Sequence, residues 1–267
     1  MRIGIVGTDA EEIATTVRSV ASTLGVFSEQ EVLVLSEREA AENGVIEDAD
    51  VYVTIGEAGL LSLVRAGVRT PVLPVAAGRS VGSVSRNDLD RAVETILTGE
   101  FRTIDLDTIA VSADDQQYRA LMDVTAVSNE AAKISEYQVL GRLDDEAVVV
   151  DRVRSDGVVA STPAGTPGYG TSAGGPILEP GLRAVSVVAV SPFRVEQPHW
   201  VLRLPIRFEV VREEVPVSLI VDDRSVQVID EEIPVTLEWG TPFQVVHTAV
   251  SPRMLGNIDE NSSNGRL

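Results

Sequence analysis

Asp156-Gly157-Val158-Val159-Ala160-Ser161-Thr162-Pro163-Ala164-Gly165-Thr166-Pro167-Gly168-Tyr169-Gly170-Thr171-Ser172-Ala173-Gly174-Gly175-Pro176 carries the most information in the chain. A β-branched strand runs into a loop of Gly, Pro and Thr, then into a short helical stretch closed by Gly-Gly-Pro. Thr166 is a suitable cap, and Pro167 at the first helical position forfeits no needed hydrogen bond. Gly174 and Gly175 stop the helix about two turns later. Free amides at such a helix start, with the helix dipole behind them, favour phosphate or ribose oxygens. Gly165, Gly168 and Gly170 would let a bulky ligand approach the backbone.

Outward from this stretch, the two halves of the chain differ in pattern. The first hundred residues alternate strand and helix: strands at Arg2–Gly7, Glu31–Leu35, Asp50–Ile55 and Pro71–Val75, helices at Ala10–Leu24, Ser36–Glu42, Ala58–Ala66 and Asn87–Leu97. Such alternation builds a parallel sheet with helices on its faces. Beyond Gly99 the segments are short and β-rich: Arg102–Val111, Val148–Val153, Val158–Ser161, Val185–Val190, Trp200–Leu204, Arg207–Val211, Val217–Val221, Val226–Ile229 and Ile233–Leu237. Pro192, Pro205, Pro216, Asp222-Asp223 and Pro234 punctuate them, as in a two-sheet antiparallel domain. The expected fold is therefore α+β in two domains, with a ligand cleft between them. Residues 1–101 form a Rossmann-like α/β unit and residues 102–242 an all-β sandwich. Residues 243–256 return to the first unit, and 257–267 form a polar, frayed tail.

The 267 residues include 41 Asp and Glu against 22 Lys and Arg, a net charge of −19, and Lys133 is the lone lysine. With no cysteine and only His199 and His247, Cys-ligated zinc, disulfides and thiol chemistry are excluded and a His-built metal site is disfavoured, so no metal ligands are assigned. No apolar run reaches the ~18 residues of a membrane span. Met1-Arg2-Ile3-Gly4-Ile5-Val6-Gly7 reads as a strand rather than a leader. The expected location is the cytoplasm. The absence of a basic patch argues against nucleic acid as a partner. An acidic excess with almost no lysine resembles proteins of extreme halophiles. At ~1 M salt the Debye length falls to ~3 Å, and carboxylate repulsion is screened.

The opening stretch closely resembles the NAD kinase signature D-G-…-T-P-T-G-S-T-A-Y-S-x-S-A-G-G-P. Asp156-Gly157, Thr162-Pro163, Gly165, Tyr169 and Ser172-Ala173-Gly174-Gly175-Pro176 fall at its spacing. Asn129-Glu130 is similar to the family's Asn-Glu pair. Val221-Asp222-Asp223-Arg224 resembles its V-D-G-Q, and Gly78-Arg79-Ser80-Val81-Gly82 its G-R-x-G-F loop. The resemblance spans roughly residues 1–247. It implies the family's reaction, Mg²⁺- and ATP- or polyphosphate-dependent phosphorylation of NAD to NADP, in a homo-oligomer (a dimer or tetramer). By that resemblance Asn129, Glu130, Arg154, Asp156, Thr166, Pro167, Gly168, Tyr169 and Ser172 would contact NAD.

A second family motif, G-G-D-G-T, is altered. After the buried strand come Gly56-Glu57-Ala58-Gly59-Leu60. By the resemblance, Gly56, Ala58 and Gly59 would line the donor's phosphate site, but the family's catalytic Asp is Ala58 here, which cannot accept a proton. Base catalysis is worth about 10²–10⁴-fold. Glu57 puts a negative charge near the donor's phosphates and is the candidate surrogate base. Two readings follow: an NAD kinase using Glu57, or a catalytically silent dinucleotide-binding paralogue that acts as a sensor or as partner of an intact kinase. A kinase for another hydroxyl substrate is a third, disfavoured by the downstream motifs.

Overall fold

The computed structural model describes residues 1–25, 32–36, 49–130, 133–144, 146–195, 197 and 199–254. The helix expected at Ser36–Glu42, beyond Ser36 itself, and the tail at 257–267 lie outside the described residues.

The first unit is a six-stranded sheet built from β1 (Ile3–Val6), β2 (Val32–Leu35), β3 (Val51–Ile55), β4 (Val72–Val75), β5 (Arg102–Leu106) and β18 (Phe243–His247), in the order β2-β1-β3-β4-β18-β5. The first four pair in parallel. Side chains alternate between faces as the pleat requires. Ile3, Ile5, Val51, Val53 and Ile55 face α1 (Ala10–Leu24) and α3 (Leu89–Leu97), meeting Ile13, Val17, Val93 and Ile96. Val6 and Tyr52 face α2 (Gly56–Arg65), with Leu60, Leu61, Leu63 and Val64. Gly4 makes room for Tyr52, because a Cβ there would lie 2.1 Å from the ring.

β18 returns from the far end of the chain. It pairs in parallel with β4 through Val245 and Val72 and antiparallel with β5. The sequence reading gave Arg102–Val111 as one segment of the second domain. It is instead two strands, β5 in the first sheet and β6 (Ile109–Ala113) in the second unit, with the crossover at Asp107-Thr108. β5 is mostly exposed, as suits an edge strand. Its place depends on β18, some 140 residues away.

The second unit stacks two six-stranded antiparallel sheets. One runs β10 (Glu146–Ser155), β9 (Ser135–Leu143), β14 (Ile206–Arg212), β17 (Val235–Trp239), β6, β7 (Gln116–Ala120). The other runs β13 (Trp200–Leu202), β12 (Val185–Val190), β11 (Gly157–Ser161), β8 (Asp123–Ser128), β15 (Val217–Val221), β16 (Arg224–Ile229). Tyr137, Val139, Phe208 and Leu237 of the first interlock with Val124, Ala126, Val158, Val187 and Leu219 of the second. β7, β8 and β9 go unread in the sequence because polar residues interrupt their apolar pattern: Gln116-Gln117 in β7, Asp123 and Thr125 in β8, Glu136 and Gln138 in β9.

α2 lies between the units: its face toward β1 and β3 shares a cluster with Leu121 and Met122 from the segment joining β7 to β8. Arg119 on β7 binds the junction together. Its guanidinium donates to the carbonyls of Val64, Thr241 and Pro242 and packs over Phe243, with the ring centroid 6.0 Å away. Arg65 at the end of α2 reaches Asp223, beyond β15, at 2.6 Å.

Candidate functional site

A cleft of about 650 Å³ opens between the two units. That volume is in the range of small-molecule sites, ~300–1,000 Å³. One wall comes from the first turn of α2, directly after β3, and from the 3₁₀ turn that follows β4, contributing Glu57 and Arg79. The floor comes from adjacent strands β8 and β15, with Asp123, Thr125 and Ile220, and from Asp222 in the turn directly after β15. The other wall is the signature turn, with Pro163, Gly165, Pro167, Gly168 and Tyr169. Crevices beyond the carboxyl ends of parallel strands are where open α/β sheets take ligands.

The signature turn differs from its expected form. Thr166–Gly170 is a wide helical turn kinked at Gly168 (φ −97°, ψ −115°), and the residue before it is Gly165, with no side-chain cap. Thr166 is fully buried and does not cap. Its hydroxyl donates to the Pro163 carbonyl at 3.0 Å and accepts from the Leu178 amide at 3.1 Å. The amides expected to be free are used internally: Gly165 and Thr166 bond to the Thr162 carbonyl, and Gly168 bonds to that of Gly165. Two of the three glycines admit the protein itself rather than a ligand. A Cβ on Gly165 would sit 2.0 Å from the Met122 carbonyl, and one on Gly170 2.7 Å from the Ser161 hydroxyl. Gly168 alone is open. Thr162 fastens the turn to β8, donating from its hydroxyl to Leu121 at 2.6 Å and from its amide to Met122 at 2.9 Å. The turn is thus a rigid wall seated on the start of β8.

Two carboxylates that the sequence reading did not single out as site residues sit on the floor. Asp222 accepts from the amides of Leu121 (3.0 Å), Met122 (2.7 Å) and Asp123 (3.2 Å). Burial outweighs those bonds and pushes it up to about 6. Asp123 is buried, with the Thr125 hydroxyl at 3.4 Å. Burial, then the charges of Asp222 and Glu57, push it up to about 7. Burial and the charges of Asp123 and Asp156 raise Tyr169, which stays partly exposed. An acid held near neutrality in a cleft is suited to taking and returning protons.

Of the residues predicted from sequence, Glu57, Pro167, Gly168 and Tyr169 line the cleft together. The helix begins at Gly56 rather than Ala58, so Glu57 and Ala58 lie in its first turn. Ala58 is exposed and does not line the cleft. Gly56 has φ +69°, and buried Gly59 packs against the Val6 carbonyl. Asn129 and Glu130 are exposed just past the other end of β8, about 20 Å along the strand from Asp123 at ~3.3 Å per residue. Asn129 accepts from Ser218 at 2.5 Å. Arg154 stacks on Phe193, and Ser172 donates to the Gly168 carbonyl. Asp156 holds the turn between β10 and β11, its carbonyl accepting from Ser128 at 2.8 Å. None of these last five lines the cleft. The sequence signal for Asp123 was a carboxylate in an apolar strand, Met122–Val127, since an acid is buried only where partners or function hold it.

Residues 123–235 match the family described as ATP-NAD kinase C-terminal domain. The NAD kinase of Methanothermobacter thermautotrophicus is 32% identical over 209 residues, covering 73% of this chain and 72% of that protein. This chain belongs to the NAD kinase family. The NAD kinase of Methanosarcina mazei is 29% identical over 218 residues, 75% of this chain and 72% of that protein. The fold agrees with solved NAD kinase-type structures. An NAD kinase from Archaeoglobus fulgidus in complex with ATP has a TM-score of 0.69 at 22% identity, covering 95% of this chain and 96% of that one. Yeast NADH kinase complexed with NADH scores 0.76 at 17% identity, covering all of this chain and 90% of that one. Within this NAD kinase family member, the Gly56–Leu60 segment borders the cleft through Glu57.

Proposed function

We propose that the cleft binds NAD or NADP and phosphorylates NAD at its 2′-hydroxyl, drawing the phosphoryl group from ATP or polyphosphate. The observation that carries the reading is a buried carboxyl, Asp123, on the cleft floor between the signature turn and Glu57. Two structural neighbours, one in complex with ATP and the other with NADH, supply a donor and an acceptor of the required kinds.

In this reading Asp123, ionised, takes the proton of the 2′-hydroxyl as that oxygen attacks the donor's terminal phosphorus. The bond from phosphorus to the bridging oxygen breaks. The leaving nucleoside diphosphate, or shortened polyphosphate, keeps the electron pair. Pro167, Gly168 and Tyr169 hold the dinucleotide against the floor. Glu57, the sequence-based candidate for the base, lies at the exposed end of the site and supports Asp123 by raising its proton affinity. Mg²⁺ would supply charge neutralisation of the donor's phosphates. Among the described residues no three His, Asp or Glu side chains form a metal-holding group. Asp123, Asp222 and Glu57 are the cleft carboxylates that would face such an ion, which would take most of its ligands from substrate phosphates.

The second reading, a silent dinucleotide binder, is favoured by Ala58 in the family's Asp position. NADP formation in multi-molar KCl, with ATP and with polyphosphate, separates the two. Turnover by wild type that survives in Glu57→Gln supports the kinase reading with Asp123 as base. No wild-type turnover, with NAD binding intact and turnover gained in Ala58→Asp, supports the silent paralogue. No binding of any dinucleotide overturns both.

A further inference from the structure

We propose that Arg79 holds the transferring phosphoryl group, as the donor's terminal phosphate before reaction and as the 2′-phosphate of NADP after it. The inference rests on the 2′-phosphorylation reading above and adds the residue that recognises the phosphate. The cleft carries three carboxylates, Glu57, Asp123 and Asp222, and among the described residues Arg79 is its one cation. A phosphate dianion entering this space meets negative charge on the floor and at the Glu57 corner, so it settles where the cation is. The floor limits its own repulsion, since burial lets Asp123 and Asp222 hold protons near neutrality.

Arg79 is available for this role. Arg65, Arg86 and Arg194 are each paired with a carboxylate, whereas no described carboxylate pairs with Arg79, and its side chain is exposed in the cleft. Its loop is fixed. Arg79–Val81 forms a single 3₁₀ turn after β4, between Gly78 (φ +100°) and Gly82 (φ +69°). Val81 is fully buried beneath it. The Gly82 amide bonds the Arg79 carbonyl at 3.0 Å, and Ser83 accepts from the Ala77 amide at 2.7 Å. A guanidinium on a fixed loop offers two parallel donors to two phosphate oxygens, which an ammonium cannot match. NAD carries only phosphodiester-type charge, whereas NADP adds a monoester dianion. Arg79 therefore discriminates the product from the substrate.

Calorimetric titration of wild type and Arg79→Gln with NAD, NADP and tripolyphosphate tests this. The substitution is expected to weaken NADP by about 10-fold or more, the size of a lost charge-assisted pair, and to leave NAD within about 2-fold. Tripolyphosphate weakened in parallel shows the donor's phosphate at the same residue; NADP alone weakened confines Arg79 to the product and overturns the donor half. Arg79→Lys is expected to restore only part of the loss. Equal NADP affinity in wild type and Arg79→Gln, or equal losses for NAD and NADP, overturns the inference while leaving dinucleotide binding in place. Failure of wild type to bind either dinucleotide overturns the inference together with the functional reading. Coincident thermal unfolding of the two proteins establishes that the exposed substitution leaves the fold intact.

Discussion

Asp123 opens β8 with its carboxyl in the cleft, and its surroundings make ionisation costly. Between the ordinary 3.8 and about 7 the folded chain keeps a proton that the unfolded chain has released. Stability therefore falls as pH rises through that window, and Asp222, raised to about 6, acts in the same direction. Asp123→Asn removes the penalty. The variant is expected to exceed wild type in unfolding free energy at pH 8, by on the order of a few kcal/mol, and to coincide with it near pH 4. A variant that melts lower at pH 8 would show that the carboxylate is stabilised by contacts rather than strained. For catalysis the sign reverses, because the base must be ionised: NADP formation should rise with pH through about 7. Residue identity was readable in sequence only where a motif marked it. Glu57 and Tyr169 were found that way. Asp123 was not, because a lone acid among Met122, Val124, Ala126 and Val127 does not show which face of the strand it occupies or what lies across from it.

At the scale of elements, the signature turn works through its seat on β8. The sequence identified the turn and its breakers, and the structure assigns their use: Gly165 admits the Met122 carbonyl, and Thr166 closes the loop instead of capping a helix. Three-dimensional proximity between Met122 and Gly165 cannot be inferred from local spacing, so the expected free amides were a fair reading of the wrong partner. Gly165→Ala should cost about 1–3 kcal/mol, the usual penalty for forcing a methyl into a packed site, and should displace Pro167 and Tyr169 from the cleft. Denaturant unfolding together with NADP titration checks this. Unchanged stability and affinity would mean that the turn is free to move off β8.

At the scale of the molecule, the alternating first hundred residues and the later β-rich segments marked the two units. The exchange of β5 and β18 between chain regions was not legible, since an edge strand's partner is set by pairing across the whole chain. The net charge of −19 on 267 residues belongs to this scale too. With carboxylates this dense, unfolding relieves repulsion in dilute buffer, and salt removes that advantage. We propose a halophilic adaptation: the melting temperature should climb steadily between about 0.1 and 2 M KCl, over which the Debye length contracts from ~10 Å to under ~3 Å. A flat profile would assign the charge to solubility alone. Phosphoryl transfer in this cleft with Asp123 as base is checked by kcat for NADP formation at pH 8 in multi-molar KCl, for wild type and Asp123→Asn, with NAD affinity measured alongside. A loss of about 10²-fold or more in kcat with NAD binding retained is expected; an Asp123→Asn enzyme that turns over as fast as wild type rules Asp123 out as the base.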